Sequence, residues 1–444
     1  MPKVYPFRGL RYNPAKVPDL TKVTTQPYDR IGPELQDEYY RRHPHNIVRI
    51  IRTKEESDPA GKYATSARTL EEWIRDGILM QESKPCLYVY YQISKTPEGE
   101  KTRKGFTAMV RLEEPGKGRV HPHEETHSGP KVDRFQLLSA TRAHTEQVFL
   151  LYSDPEKRVN RILDSIAARP PDLEAKDDLG ETHRVWRVMD PATIAQIQKD
   201  LESRDAIIAD GHHRYETAWN FRAEMLKQGK KCEGTETFEN VLATAVNMDD
   251  EGMTIFGTHR LCYDVPNFEP ARLVEAAGRF FDVRPYPFDT DAEEASARRE
   301  LLEDLRIEGM EKPCFGVAAK GAKEYFLFVV RDVKAAAARV KVGKSEDWRS
   351  LDVNLLHSVI LEPLLGIGPE QLKAERNVEY VRDVHEAIGK ARGEGKHQVA
   401  FLVNPVKLSQ IRKIVAKGER FPQKTTDFYP KLLTGLLLCK LNFT

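Results

Sequence analysis

Apolar and polar positions change period often along the chain, and each change marks an element. Ala60 to Leu79 carry apolar side chains at helical spacing, which predicts a helix. Cys86 to Ile93 and Phe106 to Leu112 are rich in β-branched and aromatic residues. They flank a TPEGEKTRKG turn, the pattern of a hairpin. A polar loop follows from Glu113 to Lys131. The periodicity then predicts a helix at Asp133 to Ala140, a strand at Val148 to Tyr152, a helix at Val159 to Ala167 and a strand at Arg184 to Met189. Asp190 caps the next helix, with Pro191 at its first position. Ala206 to Ala209 is a short apolar strand running straight into Asp210-Gly211-His212-His213-Arg214. The helix after that turn stops near Gln228, before Gly229. Strands at Val241 to Asn247 and Thr254 to Phe256, a hairpin from Phe315 to Val330 and a helix from Val353 to Leu365 follow. The proline-rich first sixty residues predict an extended arm with a short strand at Ile47 to Ile51. Hairpins mixed with helices predict an α+β protein built on mixed sheets.

Composition narrows the class. A chain of 444 residues has room for about three domains. Lys and Arg number 69 against 68 Asp and Glu, a net charge of +1, which argues against nucleic acid as a partner. Five scattered cysteines, never in a C-x-x-C pair, predict a reducing compartment and no thiolate zinc site. The opening MPKVYPFRGLRYNPAKV has no apolar signal region, and no apolar run approaches ~18 residues. A cytoplasmic protein with no membrane contact is expected.

Four segments carry candidate chemistry. The first is IIADGHHRYETAWNFR, residues 207–222. A helix N-terminus offers unpaired N–H groups and a positive dipole end, which suits an anion. Acidic residues usually occupy such a first turn, so His212, His213 and Arg214 there oppose the dipole unless an anion sits among them. The second is VHPHEETHSGPKVDR, residues 120–134, which contains an H-E-x-x-H match from His123 to His127. Pro122 before it and Ser128-Gly129-Pro130 after it leave one turn at most, too short for the zinc helix that motif needs. A loop presenting Glu124 with one or two histidines fits better. The third, Thr258-His259-Arg260, follows a strand and suits an ion pair equally well. The fourth, residues 421–436, holds Lys424-Thr425-Thr426 without the glycines of a phosphate loop; its two lysines beside hydroxyls and aromatics suit an anion, or a packed C-terminal arm.

Taken in order, these segments resemble the prokaryotic family catalogued as domain of unknown function 1015. The resemblance spans nearly the whole chain. It rests on Pro27-Tyr28-Asp29, His123-Glu124 with Lys131 and Asp133-Arg134, Asp210 to Arg214, Thr258-His259-Arg260, Leu351-Asp352-Val353, and Pro422 to Thr426 with Phe428 to Lys431. Phe421 and Asp427 depart from the pattern. That family carries a SpoOJ/ParA/ParB/repB-like label, and its D-G-H-H-R turn is similar to the nucleotide-binding box of the ParB/sulfiredoxin superfamily, which includes free serine kinases.

The resemblance implies a division into an N-terminal arm and α/β region at 1–115, a ParB/sulfiredoxin-like core at 116–262, a second α+β domain at 263–420 and a C-terminal arm returning to the site at 421–444. It implies catalytic roles for Glu124, Asp210 and His213, with Glu124 as base. Gly211, His212, Arg214, His259, Arg260, Lys424, Thr425 and Thr426 would hold ATP or ADP. His123, Lys131, Asp133 and Arg134 would face the acceptor, and Asp210 would ligate Mg²⁺. The expected activity is nucleotide-dependent phosphoryl transfer to a small hydroxyl compound, with free L-serine first among them. A ParB-like nucleotide-binding regulator without kinase activity is the alternative, and a metal-assisted hydrolase a second. The partners would be nucleotide and small-molecule substrate; an oligomer stays open.

Overall fold

The computed structural model describes residues 1–54, 59–96, 99–125, 129–340 and 343–444. Its contacts divide the chain into two units: residues 1–254 with 428–444, and residues 255–427.

The first unit is built on a nine-stranded mixed sheet. From one edge the order is Val120–Pro122, Ala206–Asp210, Val148–Tyr152, Asn240–Asn247, Gly99–Arg111, Leu87–Thr96, Thr182–Val188 and Leu173–Lys176; Val4–Tyr5 also pairs with Gly99–Arg111. Val120–Pro122 runs parallel to Ala206–Asp210, and Val148–Tyr152 parallel to Asn240–Asn247, while the other pairs are antiparallel. Segments 1–115 and 116–254 therefore share one sheet. Strand alternation gives the sheet two faces of different character. One buries Val89, Phe106, Ala108, Leu150, Trp186 and Ala243 against helices Arg158–Ala167 and Pro191–Leu201. The other carries a row of polar residues, Arg103, Gln92 and His183, directly opposite one another on three adjacent strands.

Most elements fall where the periodicity places them, and the fold is α+β. Asp190 accepts from Thr193 N at 2.8 Å and caps its helix as read, an interaction of about 1 kcal/mol. Four readings change. Ile47 to Ile51 is not a strand: Val48–Ile51 is a helical turn, entered through Asn46, whose Oδ1 accepts from Val48 N at 3.0 Å. The arm also contains the helix Pro33–Arg42, with Pro33 at its first position. The polar loop after Glu113 holds the edge strand Val120–Pro122, where a proline is tolerated. The TPEGEKTRKG turn is far shorter than read, since Leu87–Thr96 and Gly99–Arg111 pair up to Thr96 and Gly99; Pro97 and Glu98 lie outside the described residues. Arg103 thereby becomes an interior strand residue.

The second unit is a six-stranded antiparallel sheet in the order Phe281–Pro287, Glu324–Val330, Cys314–Ala319, His397–Val403, His259–Tyr263, Val378–Val381. Leu301, Leu305, Leu327, Ala387, Ile388 and Leu402 form its core, with helices Asp291–Glu308 and Val384–Arg392 contributing. All five cysteines are free thiols. Among the described residues, no helix is long and apolar enough to cross a membrane.

Candidate functional site

Strand Ala206–Asp210 ends one residue before helix His212–Lys227 begins, and Gly211 makes the joint in a left-handed conformation, φ 83° and ψ 28°. Only glycine adopts that region freely. Space matters as well: a Cβ on Gly211 would lie 2.9 Å from Arg214 Nε. The bare joint lets the Arg214 guanidinium fold back over the turn.

Asp210 closes the turn. Its Oδ1 accepts from Gly211 N at 2.6 Å and lies 3.5 Å from Arg214 Nη2, while its Oδ2 is 3.1 Å from Lys431 Nζ. Burial would raise the carboxyl's pKa, but Lys431, Arg214 and His212 hold it well below the usual range. Burial likewise opposes the charge on Arg214, and the carboxylates of Glu146 and Asp210 more than restore it. Arg214 Nη1 donates to the carbonyl of Gln147, and its Nε is buried without a hydrogen-bond partner.

The edge strand brings the second segment alongside. His123 follows Val120–Pro122, is fully buried, and donates through Nδ1 to the carbonyl of Ile208. Burial pushes its pKa down to about 4, so the ring is neutral and Nε2 carries the lone pair. Glu124 Oε2 lies 3.8 Å from that Nε2. The backbone N–H of His123 donates to His212 Nε2 at 3.4 Å, and the two rings stand 4.8 Å apart. Phe428 meets the edge of His123 at 5.7 Å. His213 is half-buried in the same first turn.

The remaining residues named for this region reach it in part. Arg134 stacks on the Tyr28 ring at 4.1 Å and lies 3.5 Å from Glu146 Oε2, and Glu146 accepts from Tyr28 N at 3.1 Å. Arg134, Glu146 and Arg214 together line a cavity of about 40 Å³, room for roughly one water. Asp133 instead faces Tyr63 Oη at 2.9 Å and Lys62 Nζ at 3.3 Å, on a groove of about 540 Å³ that Arg134 also lines. Lys131 pairs with Glu216 on the helix after the turn.

His259, Arg260, Lys424, Thr425 and Thr426 belong to the second unit. There Arg260 Nη2 donates to the carbonyl of Lys424 at 3.2 Å, and Val403 N donates to His259 Nδ1 at 3.2 Å. Burial and Arg260 push His259 down to about 4. Thr425 Oγ1 donates to the carbonyl of Pro422 at 2.6 Å, and it lines a cavity of about 220 Å³ with Arg260, Asp352 and Lys407. Thr426 is half-buried beside it in sequence.

The donor set around Asp210 suits an anion and not a dication. Both of its oxygens already face cations, so Asp210 as an Mg²⁺ ligand does not fit. Among the described residues, no group of three His, Cys, Asp or Glu could hold a metal ion. His127, the far end of the H-E-x-x-H match, lies outside the described residues.

The sequence pointed to Lys431 only as one of two lysines suited to an anion, and assigned no role to Glu146, Tyr28 or Arg103. Lys431 and Tyr28 stood in quoted motifs, whereas Glu146 and Arg103 carried no local signal.

The fold is α+β, and the strand next to the sheet edge runs through a glycine joint into a helix whose first turn carries His212, His213 and Arg214. The chain belongs to the family described as Protein of unknown function (DUF1015), which matches residues 4–354. No curated protein matches it. Among solved structures it is similar to a free serine kinase in complex with AMP, at 13% identity and a TM-score of 0.30 over 73% of this chain and 98% of that one. A conserved hypothetical protein from Pyrococcus furiosus is similar at 14% identity and a TM-score of 0.29, over 72% of this chain and 92% of that one. A C-terminally truncated SbnI from Staphylococcus aureus is similar at 11% identity and a TM-score of 0.34, over 75% and 87%. Likenesses this distant carry no argument about the chemistry of this chain.

Proposed function

We propose that the chain binds a nucleotide by its phosphates at the Asp210–Arg214 turn and transfers a phosphoryl group to a small hydroxyl compound, with free L-serine the first acceptor to test. The observation that carries the reading is the turn itself. A glycine joint opens a helix N-terminus beneath Arg214, with Lys431 and His212 at the same carboxylate. Backbone N–H groups and cations at a helix start are the means by which proteins hold phosphate charge. Phosphoryl transfer asks for charge neutralisation and for a base that orients the acceptor.

Glu124 is the base in this reading, at the edge of the site beside neutral His123. It accepts the acceptor's hydroxyl proton as the oxygen bonds to the terminal phosphorus and the bond to the bridging oxygen breaks, so that the nucleotide leaves one phosphate shorter. Arg214 and Lys431 hold the charge on the phosphate oxygens. Asp210 fixes both cations in place rather than binding a metal. Lys424, Thr425, Thr426, His259 and Arg260, named from the family resemblance, belong to the second unit and take no part in this reading.

The test is calorimetric titration with ATP, ADP and CTP, with and without Mg²⁺, beside Arg214→Met. Micromolar binding that Arg214→Met abolishes supports the reading and leads to assays with serine and other hydroxyl acceptors. Absence of binding by every nucleotide sinks it.

A further inference from the structure

The residues that deliver Lys431 to Asp210 are gripped from beneath by the polar row of the sheet. Gln92 Nε2 donates to the carbonyl of Lys431 at 2.7 Å, and Arg103 Nη2 donates to the carbonyl of Pro430. Leu433 N donates to Tyr90 Oη at 3.2 Å, and Tyr429 Oη donates to Glu181. Tyr90 also meets His183 Nδ1 at 2.7 Å. Two adjacent strands, with Glu181 just ahead of a third, thus hold residues 429–433 by backbone and side chain at once.

Arg103 is the unusual member of that grip. It is 1% exposed, and among the described residues no Asp or Glu stands within ion-pair distance of it. Its Nε donates to Gln92 Oε1 at 3.0 Å, its guanidinium lies 4.5 Å over the Phe149 ring, and its Nη1 is buried without a hydrogen-bond partner. Burial lowers its pKa to about 10, so it remains charged at neutral pH, with the field of Asp210 among the influences that favour the charge. A buried guanidinium without a paired carboxylate is expensive, so its placement calls for a compensating role. One guanidinium donates to Gln92 and to the Pro430 carbonyl at once, which ties the sheet to the segment that carries Lys431.

We propose that Arg103 is a positioning residue of the phosphate site: it holds Pro430, and so seats Lys431 on Asp210. The role in anion binding rests on the functional reading above; the seating of Lys431 does not.

The experiment therefore has two arms, both on the full chain. The first measures the rate at which acetic anhydride modifies Lys431, by peptide mass, relative to exposed Lys323. Arg103→Met should raise that ratio at least fivefold; an unchanged ratio overturns the proposal. The second is a double-mutant cycle on the Kd for inorganic pyrophosphate. Arg103→Met and Lys431→Ala should each weaken binding at least tenfold, and Arg103→Met should add less than threefold in the Lys431→Ala background. Additive effects, or wild-type affinity in Arg103→Met, overturn the proposal, because a residue acting through Lys431 cannot give either. Where the wild-type chain binds no pyrophosphate, the phosphate reading fails, the anion half of this proposal fails with it, and the first arm still decides the seating. Should Arg103→Met not fold, Gln92→Met removes the grip on the carbonyl of Lys431 and carries the same expectations.

Discussion

Lys431 Nζ stands 3.1 Å from Asp210 Oδ2 across 221 positions of sequence. The other oxygen of Asp210 lies 3.5 Å from Arg214 Nη2, four positions along the chain. One carboxylate therefore orients a local cation and a remote one toward the same helix start. That arrangement gives the turn a net positive character while keeping each cation fixed.

Asp210→Asn should separate the two consequences of this arrangement. Removing the negative charge frees Lys431 and Arg214 from the carboxylate that orients them, so pyrophosphate affinity should fall about tenfold. Loss of the charge that Lys431 and Arg214 share should also lower stability, by about 1–3 kcal/mol. Calorimetry and urea unfolding check the pair of outcomes. Unchanged or tighter binding would mean that the carboxylate does not orient these cations toward an anion.

Gly211→Ala forces an L residue into left-handed backbone, at a cost of about 1–2 kcal/mol. Its Cβ would also meet Arg214 at 2.9 Å and displace the guanidinium. Nucleotide binding should be lost while the circular-dichroism spectrum stays native. Binding equal to wild type would remove the joint from the site.

Acid should destabilise the first unit well above the ordinary carboxylate range. His123 and His144 are buried and pushed down to about 4, against an unfolded value of about 6.5. Between those values the unfolded chain takes up protons that the folded chain refuses. Stability is thus complete above pH ~6.5 and declines toward pH ~4, by roughly 3 kcal/mol for each ring. Urea midpoints at pH 7.5, 6 and 5 should fall in that order. In His144→Gln, which removes one of the two rings, the decline should be shallower.

Glu124→Gln should lower turnover about 100-fold with nucleotide affinity unchanged, because the base is needed only when the acceptor reacts. Loss of nucleotide binding in that variant would assign Glu124 to the phosphate side instead.

Much of this was legible in the residues, and the exceptions follow a physical rule. The strand–turn–helix at 206–227 reads directly, because an apolar run, Asp-Gly and a helical stretch each leave a local trace. The Val48–Ile51 turn misleads because four apolar residues in a row have no period. Arg103 misleads for a different reason. Standing among Glu100, Lys101 and Lys104, it reads as a solvated turn residue, and only the register opposite Gln92 and the closure of residues 429–433 bury it. Glu146 is likewise defined by Tyr28, Arg134 and Thr434, partners supplied from three distant segments. Clusters assembled by topology leave no spacing to read.

The first unit is interrupted in sequence by residues 255–427 and resumes at Phe428. During synthesis the turn at 210 emerges long before Lys431 exists, a delay of about 10–40 s at ~5–20 residues per second. Through that interval the polar row of Arg103, Gln92 and His183 has nothing to grip. A nascent chain therefore carries an unfinished site, and a message truncated anywhere ahead of codon 431 yields a protein that lacks the second cation at Asp210.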